Sequence, residues 1–325
     1  MHRVPPVSAD IPALVTPSSV SGDLPKASAL LACVILAHTD PVHVRRLIDA
    51  LDPFPVFLHC DSRANPRVFA AMTTDLPKRC TVLPRMKTGW ARWENVAAEL
   101  AGFRAALEST FATHVALLTG ADYPLASVEE FTDTLTACAG QSITYINPLP
   151  YDGWGASGGL DRLKFRHWAV RKHMIRIPIP RRLPPDVVLS GGSQLKILSR
   201  AHAQTVVDIA DRRPDLVRFW RRSWVADETF IPSLLGTSEY FPNWSDEHIR
   251  ATPWWIGWDG TRRKSPPWLG NEQTDSVLSR RNFDQQELPC LFARKFSTGL
   301  SDQILDAIDA SRSHSAPAAV ASGAS

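Results

Sequence analysis

The chain has 325 residues, of which 44% are hydrophobic and 21% are charged, and its formal net charge is +3. This composition is typical of a globular protein with a sizeable core, and it excludes a largely disordered chain. The small net charge gives no reason to expect a nucleic-acid partner. No apolar run reaches about 18 residues, the length expected of a membrane-spanning helix. The N-terminus lacks the features of a secretory signal and the five cysteines are scattered, so we expect a cytoplasmic protein.

A single domain is predicted between two tails. Residues 1–28 and 311–325 are rich in Ser, Pro and Ala, which is typical of disordered segments. The domain is therefore expected to cover residues 29–310.

The first half of this domain alternates predicted strands and helices. Strands are predicted from continuous apolar runs at residues 32–38, 56–61, 114–120 and 142–146. Helices are predicted to begin at Pro41, to span 94–108, and to begin at Ser127, where a capping box with Glu130 occurs. Repeated βα units predict an α/β fold with a doubly wound, mostly parallel sheet flanked by helices.

The second half has a different pattern. Residues 147–192 are rich in Gly, Pro, Trp and Arg and are predicted to form a long functional loop region. Residues 195–199 predict a short strand that leads into a helix over 200–212. Residues 240–270 predict irregular strands around a group of tryptophans.

Polar residues follow three of the predicted strands, where an open α/β sheet binds ligands. His38 ends the first strand, Asp61 ends the second, and Asp122 follows the third. Each could instead cap a turn or a helix. Because all three strands show the pattern, we interpret it as a site, with His38 near a nucleotide and Asp122 near an acceptor.

Two adjacent carboxylates, Asp227 and Glu228, precede a predicted apolar helix over 229–235. Asp is a good N-cap, so Asp227 is expected chiefly to cap this helix. Glu228 lies one residue further on and could reach into a cleft as a general base.

Two cations end a predicted strand in LFARKF, residues 291–296. Alternation places Arg294 and Lys295 on opposite faces of that strand, so one of them is expected to face the site. No pair of acids is spaced Asp-x-Asp, the arrangement by which many nucleotide-sugar transferases hold a divalent metal. The sequence therefore favours a site that uses cations and no metal or other cofactor.

A basic segment over residues 162–182 interleaves arginines and lysines with His and Trp. It could bind RNA, dock on an anionic membrane surface, or form a solvated loop. Membrane docking would make the protein peripheral on the inner face of the membrane.

Several segments occur in an order that resembles the core-2/I-branching family of β-1,6-N-acetylglucosaminyltransferases, which includes the peptide O-xylosyltransferases. They are ILAHTDPVHVRRLIDAL, FLHCDSR, the Gly89-Trp90 step before a long helix, LLTGADYPLASVEEF, GGSQLKILSR, ADETFIPSLL and LFARKF. The resemblance covers roughly residues 30–310. Because no membrane anchor or disulfide framework accompanies it, the chain is identified as a bacterial member.

The resemblance implies a GT-A-like fold and an inverting, metal-independent glycosyltransferase. The reaction would move a sugar of the N-acetylglucosamine or xylose class from a UDP-sugar to a hydroxyl of a glycan or other acceptor. The resemblance places the catalytic base at Glu228, a diphosphate-binding lysine at Lys295, and a second, arginine clamp at Arg263.

The resemblance also places a uridine contact at Asp61 and an acceptor contact at Asp161. Trp90 and the tryptophan group over residues 254–258 could stack on sugar faces, although buried tryptophans more often belong to the core. The family usually has aromatic residues after GSQ, where this chain has Leu195 and Lys196, so the acceptor side is expected to differ. The alternatives are a two-carboxylate glycoside hydrolase and a non-catalytic glycan-binding or membrane-docking module.

Overall fold

The computed structural model describes residues 29–170, 173–258, 260, 265–280 and 288–314. The first elements in chain order are β1 (Leu31–Ala37), α1 (Pro41–Ala50), β2 (Val56–Cys60), α2 (Pro66–Thr73), β3 (Cys80–Val82), α3 (Trp93–Ser109), β4 (His114–Thr119), β5 (Asp122–Pro124), α4 (Val128–Ala137), β6 (Ser142–Thr144) and β7 (Ile146–Pro148). They are followed by α5 (Asp161–Lys164), β8 (Phe165–Val170), β9 (His173–Pro180), β10 (Ser190–Gly192), β11 (Lys196–Ser199), α6 (Arg200–Arg212), α7 (Pro214–Trp220), α8 (Phe230–Leu235), β12 (His248–Arg250), β13 (Trp254–Ile256), α9 (Thr274–Leu278), β14 (Phe292–Arg294) and α10 (Asp302–His314).

Seven of the described strands form the main sheet, in the order β3-β2-β1-β4-β11-β6-β12. The pairs β1–β2, β1–β4, β2–β3 and β6–β12 are parallel, whereas β11 runs antiparallel to both of its neighbours. The predicted doubly wound, mostly parallel sheet is therefore confirmed, with β11 as its reversed strand.

The central strand β1 is buried on both faces, which explains its continuous apolar sequence. Leu31, Cys33 and Ile35 pack into one core, which also contains side chains of α1, α4 and α10. Ala32 and Val34 pack into a second core with α3, α6 and α8. Helices thus cover both faces of the sheet.

Helix α3 packs tightly against β1 because it has a glycine at the contact. A Cβ at Gly102 would lie 2.2 Å from Cγ1 of Val34, so a larger residue here would push the helix away from the sheet. The N-terminal half of the same helix carries Asn95 and Glu99, one turn apart, near the cleft described below.

The helix starts follow the capping signals in the sequence. Asp40 caps α1 by accepting from the His43 backbone N–H, and Pro41 occupies the first helical turn. Ser127 and Glu130 form the predicted capping box of α4. Asp40 is therefore a helix cap, and it also accepts from the backbone and side chain of Thr298.

Three parts of the chain differ from the predictions. Residues 147–192 form the antiparallel pairs β7–β10 and β8–β9, where a long loop was expected. The predicted strand over 142–146 divides into β6 and β7, which belong to different sheets. The last helix continues to His314, beyond the start of the predicted C-terminal tail at residue 311.

Strand β14 joins a small sheet, in the order β13-β14-β5, beside the main one. It pairs in parallel with β13 and antiparallel with β5, and this register places Arg294 opposite Asp122. None of the helices in the described part of the chain has the length and apolar content needed to cross a bilayer.

Candidate active site

A cleft of about 530 Å³ opens where the start of α3, the end of β7, the loop before β11 and the end of β14 meet. A 3₁₀ turn over Ala226–Glu228, just before α8, forms part of its wall. The cleft thus combines elements that are distant in sequence, as ligand sites in α/β proteins commonly do.

The backbone before this turn is held in a strained conformation. Val225 has φ 56° and donates its N–H to the carbonyl of Ala91, which has φ 59°. A β-branched residue at positive φ is rare, and such strain persists only where surrounding contacts enforce it. Together with the hydrogen bond from Trp224 N–H to the carbonyl of Arg162, these contacts fix the direction in which Glu228 leaves the chain.

Glu228 reaches into the cleft, with 40% of its side chain exposed. Its Oε2 accepts from Nη1 of Arg162 at 3.1 Å. Burial raises the pKa of Glu228 to about 7, the neighbouring Asp227 carboxyl adds to the rise, and Arg162 opposes it. A carboxylate whose pKa lies near neutrality is well suited to act as a general base.

The sequence did not single out Arg162 as a site residue, because it lies within the basic segment 162–182. In the structure its guanidinium lies over the ring of Trp154 at 3.9 Å and near the ring of Trp224 at 5.6 Å, so aromatic faces support it on two sides. Trp154 also lines the cleft. The stacked arginine therefore holds Glu228 in a defined position.

The prediction that Asp227 caps a helix was wrong. Asp227 lies within the 3₁₀ turn and its side chain makes no capping hydrogen bond, whereas Val225 and Thr229 occupy the cap positions of the turn and of α8. Asp227 is 6% exposed, and its Oδ2 accepts from the side-chain amide of Asn95 at 3.2 Å. Val225, two residues before Asp227, adopts a left-handed conformation, and the acid points inward instead of towards the helix N–H groups.

A buried ion pair lies close to Asp227. Lys196 on β11 donates to Oε1 of Glu99 on α3 at 2.6 Å, and both side chains are fully buried. The signal in the sequence was Lys196 itself, a lysine in an apolar strand. Charged side chains are almost never fully buried without a partner, so a lysine in this strand indicates a buried acid, but residue type alone does not identify Glu99.

The two cations at the end of β14 have different surroundings. Arg294 lines the cleft, and its Nε lies 3.4 Å from Oδ1 of Asp122. Asp122 is fully buried and accepts from the backbone and side chain of Thr119. The expected acceptor contact at Asp122 is therefore wrong for this structure, because the carboxylate lies behind Arg294 and outside the cleft lining.

Lys295 lies at the margin of the cleft. Its Nζ donates to Oγ of Ser265, a cleft-lining residue, at 3.0 Å and lies 4.2 Å from the centre of the Trp268 ring. Burial lowers the pKa of Lys295, and Arg294 acts in the same direction. Arg263, the expected second clamp, lies outside the described residues.

His38 lies close to Lys295 and Asp61, although none of the three is among the residues that line the cleft. Burial lowers the pKa of His38, the charge of Asp61 opposes this, and Lys295 lowers it further. Asp61 and Lys295 are thus both near enough to His38 to influence its pKa.

The Asp61 carboxylate is engaged within its own loop. It accepts from the backbone and guanidinium of Arg63 and from the Thr88 hydroxyl, at 2.6–3.1 Å. These contacts hold its pKa far below the usual range. In this structure Asp61 braces the loop after β2, and the expected uridine contact stays a prediction.

Two residues predicted on the acceptor side occupy different positions. Trp90 lines the cleft with 55% of its surface exposed, next to Trp224. Asp161, in α5, accepts from the Ser157 hydroxyl at 2.6 Å and lies beside Arg162 in sequence. Trp258, part of the tryptophan group predicted to contact sugar faces, also lines the cleft and is 53% exposed.

The basic segment 162–182 does not form one continuous surface. Arg162 turns into the cleft, and Arg181 donates to the carbonyls of Leu163 and Phe219. Arg171 and Lys172 lie outside the described residues. The cations that remain exposed are Lys164, Arg166, Arg176 and Arg182.

The carboxylates of the cleft are few. Among the described residues that line it, only Asp227 and Glu228 carry carboxyl groups, and they are neighbours on one turn. A two-carboxylate glycosidase needs its acids on opposite sides of the scissile bond, so this arrangement does not favour a hydrolase. In the described part of the chain, no three His, Cys, Asp or Glu side chains are grouped as metal ligands would be.

The sequence matches known proteins over much of its length. A model of the Core-2/I-Branching enzyme family matches residues 47–279. Xylosyltransferase 1 of Homo sapiens is 25% identical over 267 residues, which cover 78% of this chain and 27% of the relative. Xylosyltransferase 2 of Rattus norvegicus is 25% identical over 196 residues, which cover 59% of this chain and 22% of the relative. The chain thus spans about a quarter of the length of these relatives.

Two solved structures show a weaker likeness. HddC from Yersinia pseudotuberculosis has a TM-score of 0.26 at 10% identity, with 53% of this chain and 79% of that chain covered. A putative glucose-1-phosphate thymidylyltransferase from Bacillus anthracis has a TM-score of 0.28 at 8% identity, with 54% and 74% covered. These scores are too low to support any conclusion about function.

The residues matched by the family model include Glu228 and its contact Arg162, and also the buried pair Glu99–Lys196. The match ends before Arg294 and Lys295. Since it covers most of the chain, the protein belongs to the Core-2/I-Branching enzyme family.

Proposed function

We propose that the protein is an inverting glycosyltransferase that moves a sugar from a UDP-sugar to a hydroxyl of a glycan or other acceptor. The observation that carries the proposal is Glu228, a carboxylate whose pKa of about 7 suits a base, placed in the same cleft as the cation Arg294. Membership of a family of branching enzymes and similarity to xylosyltransferases support sugar transfer. The sugar is proposed to be of the N-acetylglucosamine or xylose class.

In the proposed reaction, Glu228 takes the proton of the acceptor hydroxyl while that oxygen bonds to the anomeric carbon of the donor. The bond from this carbon to the diphosphate oxygen breaks on the opposite face, so the configuration inverts and UDP leaves with the bonding pair. Arg162 keeps the Glu228 carboxylate in place through the contact at 3.1 Å. Positioning of this kind avoids the cost of ordering the base during the reaction.

Negative charge grows on the leaving diphosphate, and fixed cations stabilise it most strongly where water is excluded. Arg294 lines the cleft, and Asp122 behind it orients the guanidinium. Lys295 contacts the cleft-lining Ser265 from the margin. We propose that these two cations serve the diphosphate and that no metal is required.

The acceptor side is proposed to lie between Trp90 and Trp258. Both rings line the cleft and about half of each is exposed, which is what stacking on the faces of sugar rings requires. Aromatic walls with a few polar groups are typical of small-ligand sites.

We further propose that the hairpin β8–β9 docks on an anionic lipid surface. Arg166 and Arg176 are exposed on it, and so are Ile175 and Ile179, at 49% and 68%. Among the described strands, β8 and β9 pair only with each other, so the hairpin is a separate two-stranded sheet. Exposed basic and apolar side chains together match the charge and the apolar interior of such a surface.

A screen of UDP-sugars for UDP release, without acceptor, tests the proposed function. We expect slow hydrolysis of one donor in the presence of excess EDTA, because the cations replace a metal. Loss of activity in EDTA with recovery in Mn²⁺ would contradict the metal-free mechanism. Release of sugar from glycosides without any UDP-sugar would indicate a hydrolase, and absence of any UDP binding would indicate a non-catalytic module.

A further inference from the structure

A second, smaller pocket of about 140 Å³ lies where the first turn of α3, the strand β8 and the end of α7 meet. Its described lining contains three arginines, Arg92, Arg221 and Arg222, and one carboxylate, Glu94. None of these four residues lines the cleft. A water molecule occupies about 30 Å³ in the liquid, so the pocket has room for a group the size of a phosphate. The excess of arginine favours an anionic group.

Contacts between the surrounding elements bring the arginines of this pocket together. The backbone N–H of His167 donates to the carbonyl of Arg222 at 2.8 Å and so fastens β8 to the end of α7. The guanidinium of Arg222 lies 4.7 Å from the centre of the Trp168 ring, which also lines the pocket. This cation–π contact holds an otherwise exposed arginine against the pocket wall.

Two further features of the pocket suit an anion. The 17-residue helix α3 begins here, and no side chain caps its first turn, so its first N–H groups and its dipole favour negative charge. His167 is only 5% exposed, and its Nδ1 donates to the carbonyl of Phe165 at 3.1 Å. Its Nε2 makes no hydrogen bond within the described part of the chain. An anion beside the ring favours protonation of Nε2, which then becomes a donor.

The pocket adjoins an exposed apolar side chain of the hairpin β8–β9. Trp168 pairs across the two strands with Ile175, and cross-strand partners lie on the same face of a sheet, with Cβ atoms about 4.5–5.5 Å apart. Ile175 is 49% exposed. A basic pocket beside an exposed apolar residue matches a phospholipid, in which a phosphate lies next to the apolar layer. A free phosphate would match the pocket alone.

We propose that this pocket binds the phosphate group of an anionic phospholipid while Ile175 enters the apolar layer beside it. The inference deepens the membrane docking of the hairpin β8–β9 proposed above and rests on it. Because the basic residues of the pocket do not line the cleft, the lipid site is separate from the proposed donor site.

Co-sedimentation with vesicles of phosphatidylcholine and phosphatidylglycerol tests the pocket. Arg221→Gln/Arg222→Gln should lower binding by about tenfold or more, since each basic side chain near an anionic surface is worth a factor of about five. Arg212→Gln/Arg218→Gln removes the same charge from two exposed arginines outside the pocket lining and should lower binding much less. Equal losses in the two variants would overturn the pocket proposal and leave the docking of the hairpin standing.

A variant with the opposite expected effect guards against damage to the fold. Glu94→Gln keeps the size of an exposed side chain and removes the carboxylate that repels a phosphate. Vesicle binding should therefore rise, by about threefold, the reverse of removing a basic side chain. Partial unfolding would not produce such a gain, and binding that stays the same or falls would overturn the proposal.

A water-soluble lipid tests the site without a membrane. In protein with isotope-labelled histidine, the ring signals of His167, assigned by their loss in His167→Gln, should shift saturably with dihexanoyl phosphatidylglycerol. The shift should be lost in Arg221→Gln/Arg222→Gln. A response to inorganic phosphate with none to the soluble lipid would show a site for free phosphate and would overturn the proposal.

The proposed function has a separate measurement. Calorimetric binding of UDP should be the same in Arg221→Gln/Arg222→Gln as in the wild-type protein, because neither arginine lines the cleft. Absence of UDP binding in both proteins would contradict the transferase and leave the lipid results interpretable. A wild-type protein that does not sediment with the anionic vesicles would contradict the docking of the hairpin and the lipid site together.

Discussion

Arg162 donates to Oε2 of Glu228 at 3.1 Å while its guanidinium lies over the ring of Trp154 at 3.9 Å. The cation therefore acts on Glu228 from a fixed position, supported by an aromatic face. This relationship links the wall of the cleft to the ionisation of Glu228.

Removal of the Arg162 charge should shift the pH dependence of transfer. A cation favours the ionised carboxylate, so Arg162→Met should raise the pKa of Glu228 above about 7. Because the base must be ionised, the acidic limb of kcat/KM should move to higher pH, by about one unit. Arg104→Met, which removes an exposed arginine of α3, should leave the limb in place. A limb that moves to lower pH would show that Glu228 is not the group being titrated.

Removal of the Glu228 charge should abolish transfer and spare nucleotide binding. Glu228→Gln keeps the size of the side chain and one acceptor for Arg162, but it cannot take a proton. The expected loss in kcat is about 10²–10⁴, typical of a missing general base. Calorimetric binding of UDP should stay near the wild-type value, since the base acts on the acceptor. Glu108→Gln, an exposed change on α3, is the control. Near-normal turnover in Glu228→Gln would exclude the proposed base.

Lys295→Ala should weaken the binding of UDP more than the binding of uridine, because the proposed partner of Lys295 is the diphosphate. Truncation of one charge-assisted contact is expected to lower the binding free energy of UDP by about 1.5–3 kcal/mol. Titration of both ligands into both proteins measures the difference. Lys164→Ala removes an exposed lysine that is distant from Lys295 in sequence, and it should change neither the affinity for UDP nor the affinity for uridine. Equal losses for UDP and uridine would show that Lys295 supports the fold around Ser265 and Trp268.

The hairpin β8–β9 should bind vesicles only when they contain anionic lipid. Co-sedimentation should fall as salt increases, because the attraction is screened, and it should fall further in Arg166→Glu/Arg176→Glu. Ile175→Ser/Ile179→Ser should reduce binding at all salt concentrations, because it removes apolar area from the interface. Arg104→Glu is the matched charge control. Binding that depends neither on lipid charge nor on salt concentration would contradict this docking mode.

Local sequence patterns predicted most of the strands and helices. The apolar run of β1, the capping box at Ser127, and the helix over Arg200–Arg212 appear in the structure where they were predicted. These signals are short-range, because burial on both faces and capping by a nearby side chain depend on neighbours in sequence. The antiparallel direction of β11 depends on distant partners. The Gly, Pro, Trp and Arg content of residues 147–192 predicts a loop, because it masks the short strands that pair there.

The sequence by itself predicted most of the strands and helices and the family, and it singled out Glu228 as the proposed base. It could do so because these depend on residue type and local spacing. The tertiary structure alone decided that Asp227 turns inward, that Arg162 leaves the basic segment to hold Glu228, and that Asp122 lies behind Arg294. It also decided that Lys196 is paired with Glu99. The physical reason is that ionisation and orientation depend on burial and on charges contributed by distant segments, which come together only when the sheet and its helices have packed.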